Sequence, residues 1–141
     1  MNWLFFAFLS AISLALADFC MKLASNRISP SLAVLVYGAT TFLVSLAWTG
    51  ADFLKKEAFF VTAKGFLYAL VVGLAFSGVT AFTYIAFAKG AKVSVAAPLI
   101  RLAGVIMAGA AGIMFLKESF SALYLLGALM VVAGVVLMVT R

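Results

Sequence analysis

The chain has 141 residues, 67% of them hydrophobic and 10% charged, with a mean hydropathy of +1.28 and a net charge of +6. A water-soluble domain of this size does not carry so much apolar side chain, so the composition predicts an all-α integral membrane protein. The basic residues lie scattered at the ends of apolar runs, where they snorkel toward lipid head groups, so nucleic acid is excluded as an expected partner and the lipid bilayer takes its place.

The first apolar run, Trp3 to about Lys22, is predicted to be a membrane-spanning helix. Ala15, Leu16 and Ala17 resemble a signal-peptidase site, but no Lys or Arg precedes the run, so a retained helix is expected. Leu23 to Ser29, with Asn26 and Arg27, reads as a polar turn, and Pro30 is placed to open a second helix from Ser31 to Thr49. From Gly50 to Lys64 the charges Asp52, Lys55, Lys56, Glu57 and Lys64 surround Phe59, Phe60 and Val61, a pattern suited to a loop along the membrane surface. The third span is predicted from Gly65 to Phe87. The turn Lys89 to Lys92 is short enough to force the next helix antiparallel, and Val93 to Leu116 is long enough to cross a hydrocarbon core of about 30 Å. Lys117 to Phe120 makes a tight turn before the last span, Ser121 to Thr140. Apolar spans fill nearly the whole length, so a single transmembrane domain over residues 1–141 is expected, with no separate soluble domain.

Five spans place the two termini on opposite sides of the membrane. Trp3, Trp48, Tyr68 and Tyr124 then fall at span ends on the N-terminal side, as an interfacial belt would. That side also carries Lys55, Lys56, Lys64 and Lys117, while the other carries Lys22, Arg27, Lys89, Lys92 and Arg141. Four against five is no decisive positive-inside bias. One expectation is therefore dual topology, in which two opposed copies build an inverted repeat. The other is a single orientation set by local charge or by a partner chain.

Depth within the spans singles out two residues. Arg101 lies eight residues into the fourth helix and Asp18 four before Lys22, near the end of the first, so both sit roughly 10 Å below the same surface. Isolated charges at that depth are costly and need a partner, a polar cavity or a ligand. In one reading Arg101 grips a carboxylate or phosphate while Asp18 receives an amino group or a proton, which together suit a zwitterion. In the others the two form a structural ion pair, or Asp18 pairs with Lys22 one turn on. Ser77, Thr80 and Tyr84 share a face of the third helix and would line a cavity or bond to backbone. Tyr37, Thr41, Ser45 and Trp48 share a side of the second, with Trp48 better explained as an anchor.

Pro98 removes a backbone donor beside Arg101, which frees carbonyls near Ser94 for water or ligand and offers a kink or hinge. Gly104, Ala108 and Gly112 recur every four residues and are expected to form a helix-packing face. Ser10 and Ser13 read as packing residues, and Glu118 as a solvated or head-group-facing charge. Cys20 can form no internal disulfide, and the sequence has no histidine, so no metal site, cofactor or redox function is expected. With no convincing acid pair either, hydrolytic catalysis is not expected, and the chain does not read as an enzyme.

Several features of the later spans recur together: an aromatic third helix closing on a basic turn, Ala97 and Pro98 early in the fourth, and Phe115, Leu116, Lys117, Glu118 at its end. Gly127, Ala128, Ala133 and Gly134 follow in the fifth. On these features the run from Gly73 to Met138 resembles the second part of an EamA domain of the drug/metabolite transporter superfamily. Lys117 stands where a glycine is common, a departure expected to matter for the turn more than for transport. Most members carry two such units in ten helices, and the resemblance implies here a single five-helix unit of the short type. It implies a secondary transporter of a small metabolite or drug, often an exporter, in a prokaryotic inner membrane. The expected mechanism is alternating access by an antiparallel homodimer. A flippase-like or helper subunit acting beside a second chain is one alternative, and a non-transporting structural membrane protein with Arg101 locked to Asp18 is another.

Overall fold

The computed structural model describes residues 3–119 and 121–140, so Phe120 of the expected turn and Arg141 of the charge tally lie outside the described residues. The fold is all-α, with α1 (Trp3–Ala24), α2 (Pro30–Leu54), α3 (Ala63–Ala88), α4 (Val93–Leu116) and α5 (Ala122–Val139). All five helices are long and apolar enough to cross a membrane. The chain divides into two compact units, Met1–Phe19 with Gly90–Arg141, and Cys20–Lys89. Within the first, α4 packs on α5; within the second, α2 packs on α3.

Helix ends follow local chemistry more closely than apolar length. Pro30 opens α2 after an extended Ser29, where its missing N–H costs nothing. Gly50 does not end that helix: an interior glycine costs only about 1 kcal/mol, and the helix runs on to Leu54. The chain turns off instead at Lys56, which holds a left-handed φ of 58°. Thr62 starts α3 earlier than apolar length suggests, because its Oγ1 accepts the Gly65 N–H at 3.1 Å. Ser121 does the same for α5, accepting the Tyr124 N–H at 3.1 Å. In the turn between α3 and α4, Gly90 has a φ of 97°, which an L side chain rarely adopts.

Lys117 ends α4 in the left-handed region, with a φ of 54°. Its own N–H and that of Glu118 both turn back to the Gly112 carbonyl. The departure that the resemblance marks at Lys117 thus falls on a residue where a Cβ is unwelcome. Lys117→Gly is expected to stabilise the protein by about 0.5–1 kcal/mol, the left-handed penalty relieved less the extra entropy that glycine loses on folding. A thermal melt in detergent reads this as a higher Tm, and an unchanged or lower Tm contradicts it.

Lys22, in the last turn of α1, donates to the Phe87 carbonyl at 3.3 Å, and its ammonium lies 5.6 Å from the centre of the Phe87 ring. Phe87 is fully buried. A cation there satisfies a carbonyl in the last turn of α3 and complements that helix's dipole.

Few side chains are buried. α2 buries Ala33 alone and α5 buries Val135 alone, while leucines, phenylalanines and valines lie exposed on all five helices. In water such faces would drive aggregation; lipid tails and a second protein surface are what can cover them. Between α2 and α3, Phe60 is 95% exposed beside exposed Phe59 and Val61, with Lys55 and Lys56 close in sequence, as a membrane-surface loop requires.

Candidate functional site

On α1 the helical period brings Ala11, Leu14, Ala15 and Asp18 to one face, and on α4 it does the same for Ser94, Ala97, Pro98 and Arg101. These two faces line a groove of about 430 Å³, within the size range of small-molecule sites. One ion pair marks it. Arg101 Nη2 donates to Asp18 Oδ1 at 2.9 Å.

The two partners are unequally placed. The Asp18 side chain is 9% exposed and that of Arg101 31%. The pair is also incomplete, since Arg101 Nε is buried and has no hydrogen-bond acceptor among the described residues. A buried donor left without an acceptor costs about 1–3 kcal/mol, so a guanidinium that gives one hydrogen bond to its carboxylate is less firmly held than a two-pronged one. Pro98 lines the same groove and supplies no N–H for the carbonyl one turn back, that of Ser94, whose side chain is exposed there.

Asp18 pairs with Arg101 across 83 residues, while Lys22, one turn further along α1, turns to Phe87. Asp18, Arg101, Ser94 and Pro98 thus come together around one groove. Ser77, Thr80 and Tyr84 lie on α3, in the other unit, and two of their hydroxyls are engaged locally. Ser77 donates to the Gly73 carbonyl and Thr80 to that of Phe76, each at 2.9 Å. Thr80 is buried and Tyr84 half-buried. Thr83, which sequence reasoning passed over, is 4% exposed. Its spacing, three after Thr80 and four before Phe87, was the available signal.

Of the row Gly104, Ala108 and Gly112, Gly112 is buried, while Gly104 and Ala108 are exposed. Beyond its chain neighbours and its own helical backbone, no described atom lies within 4 Å of where a Cβ on Gly104 would stand. Within the chain, side chains come close at Gly109, beside that row, and at Gly112, within it. The Tyr124 hydroxyl of α5 occupies the space a side chain at Gly109 would need, and the Glu118 carboxylate lies 2.6 Å from a Cβ built on Gly112. Glu118, although exposed, is therefore folded back over α4 rather than directed wholly away from it. Ser10 and Ser13, expected to pack, are exposed and donate at 2.9 Å to the carbonyls of Phe6 and Leu9 on their own helix. In a hydrocarbon environment the nearest backbone acceptor outcompetes packing.

A second groove, of about 440 Å³, runs between α4 and α5 past Leu102, Ile106, Leu125 and Val131, with Tyr124 as its polar residue. Among the described residues no group of three or more His, Cys, Asp or Glu stands in metal-binding array. Cys20 is a free, exposed thiol.

No curated protein and no solved structure matches the chain. The five spans, the pair set inside them and a match of the EamA-like transporter family model to residues 1–140 converge, and the chain belongs to that family as a multi-pass membrane protein.

Proposed function

We propose that the protein is a secondary transporter that moves a small zwitterionic or anionic metabolite or drug by alternating access. It works as an antiparallel homodimer, each chain supplying one five-helix unit, and exports its substrate across a prokaryotic inner membrane. The observation that carries this reading is the incomplete Asp18–Arg101 pair on the wall of an open groove, set roughly 10 Å inside the spans. Arg101 and Asp18 form the charged centre of the substrate site, and Ser94 adds a hydroxyl beside them. Ser77, Thr80 and Tyr84 form a second polar face, on α3, for substrate to meet. Pro98 serves as the hinge of α4, and Gly104, Ala108 and Gly112 let a neighbouring helix approach. The near balance of basic residues at the two sets of span ends supports insertion both ways, and the exposed apolar faces of α2 and α5 supply surface for a second copy.

The test is topology. In a Cys20→Ala background, Phe60→Cys and Ala91→Cys are labelled separately in intact cells with a membrane-impermeant thiol reagent. Both are expected to label to about half of the total reached after permeabilisation, as two opposed populations require. Labelling of one position alone rules out the antiparallel homodimer and favours a helper subunit beside a different chain.

A further inference from the structure

A molecule entering the groove between α1 and α4 meets the cation of the ion pair before the acid. The Arg101 side chain keeps 31% of its surface and that of Asp18 only 9%. Of the five N–H groups of the guanidinium, one is bonded to Asp18, and Nε is without an acceptor among the described residues. Nε is buried, so the donors an incoming anion can reach are the remaining Nη N–H groups of Arg101, whereas an incoming ammonium finds only a screened carboxylate that is already engaged. Asp18 is the one acidic residue lining the groove, and apart from Ser94 the remaining walls, among them Leu14, Ala15, Val93 and Ala97, are apolar. Such walls give nothing to a second charged group on the ligand and gain from an apolar body.

We infer that the groove selects monocarboxylates carrying an apolar body, and that Asp18 holds Arg101 as an internal competitor until such an anion arrives. This rests on the transporter reading above and narrows its substrate class from zwitterions and anions in general. A planar carboxylate matches the guanidinium fork and leaves one net negative charge in the site. A phosphate monoester dianion would leave two, facing a single cation among apolar walls, and is disfavoured by its desolvation. A zwitterion would bring an ammonium group with no free acceptor to receive it.

The test uses the full chain in phosphatidylcholine nanodiscs and measures calorimetric binding of four probes with the same six-carbon body: hexanoate, norleucine, hexylamine and hexyl phosphate. Hexanoate is expected to bind, with each of the others at least about tenfold weaker. Asp18→Asn, which removes the competitor, is expected to tighten hexanoate by about tenfold, and Arg101→Lys, which keeps the charge but loses the fork, to weaken it by about as much. Melting curves of the same samples show that each variant is folded, and Asp18→Asn carries the test if Arg101→Lys does not fold.

Norleucine or hexyl phosphate binding as tightly as hexanoate overturns the inference, as does weaker hexanoate binding by Asp18→Asn, or the absence of binding by all four probes. The labelling experiment fails independently. Both loops labelled in a chain that prefers norleucine would keep the transporter and discard this ligand class. A fixed orientation in a chain with Arg101-dependent hexanoate binding would discard the antiparallel dimer and keep the class.

Discussion

Replacing Arg101 with glutamine is expected to destabilise the protein by about 3–5 kcal/mol, the range for removing one partner of a buried ion pair. The cost comes from what remains: Asp18, with 7% of its surface exposed, keeps a carboxylate and loses its cation. Asp18→Asn should cost less, about 1–2 kcal/mol, because the guanidinium it abandons is partly exposed and can be solvated. In Asp18→Asn with Arg101→Gln the combined cost should fall short of the sum by about 1–3 kcal/mol, the coupling of groups in direct contact. Unfolding of the four proteins by SDS titration in dodecyl maltoside gives all these values. Equal and small costs for the two single variants would mean that the pair is not sequestered. The same series separates a lock from a ligand site. A purely structural pair changes stability alone, whereas a pair at a ligand site changes ligand affinity as well, so binding is measured on each variant that folds.

The second large effect lies on α4. Gly109→Ala places a methyl group where the Tyr124 hydroxyl now stands and 3.2 Å from its Cζ, so the ring must leave its seat. Overpacking of this kind costs about 1–3 kcal/mol. The Tyr124→Phe background removes the clashing oxygen, and Gly109→Ala introduced there should cost less than about 1 kcal/mol. Gly112→Ala is an internal contrast. Its methyl group would meet the Glu118 carboxylate, the free end of an exposed, flexible side chain that can swing away, and the expected cost is below about 1 kcal/mol. If Gly112→Ala proves the more damaging of the two, Glu118 is held over α4 more firmly than its exposure indicates.

How far the sequence could be read follows from what each signal measures. Apolar length measures bilayer thickness, and it placed all five helices; α4 has the predicted bounds, Val93–Leu116. It does not measure helix ends. Gly50 looked like a stop, yet one interior glycine costs a helix only about 1 kcal/mol, and the turn came at Lys56, in the left-handed region. Thr62 and Ser121 act through a single side-chain oxygen each, which hydropathy does not register. Counting 1.5 Å per residue brought Asp18 and Arg101 to one depth, and their side chains meet at 2.9 Å. Depth says nothing about direction around a helix, and the seating of the Tyr124 hydroxyl against Gly109 had no signal in it. The bond from Lys22 to Phe87 had no sequence signal at all, because any basic residue at a span end reads as a snorkelling one.

The 83-residue separation within the ion pair also sets a problem of timing. Helices leave the ribosome in order, at roughly 5–20 residues per second, so α1 emerges with its aspartate roughly 4–17 s before the arginine of α4 exists. During that interval the nearest cation is Lys22, one turn further along the same helix, and the partner seen in the fold has not yet been made. The ion pair that ties the first helix to the fourth is therefore closed only after a segment more than half the chain away has been made.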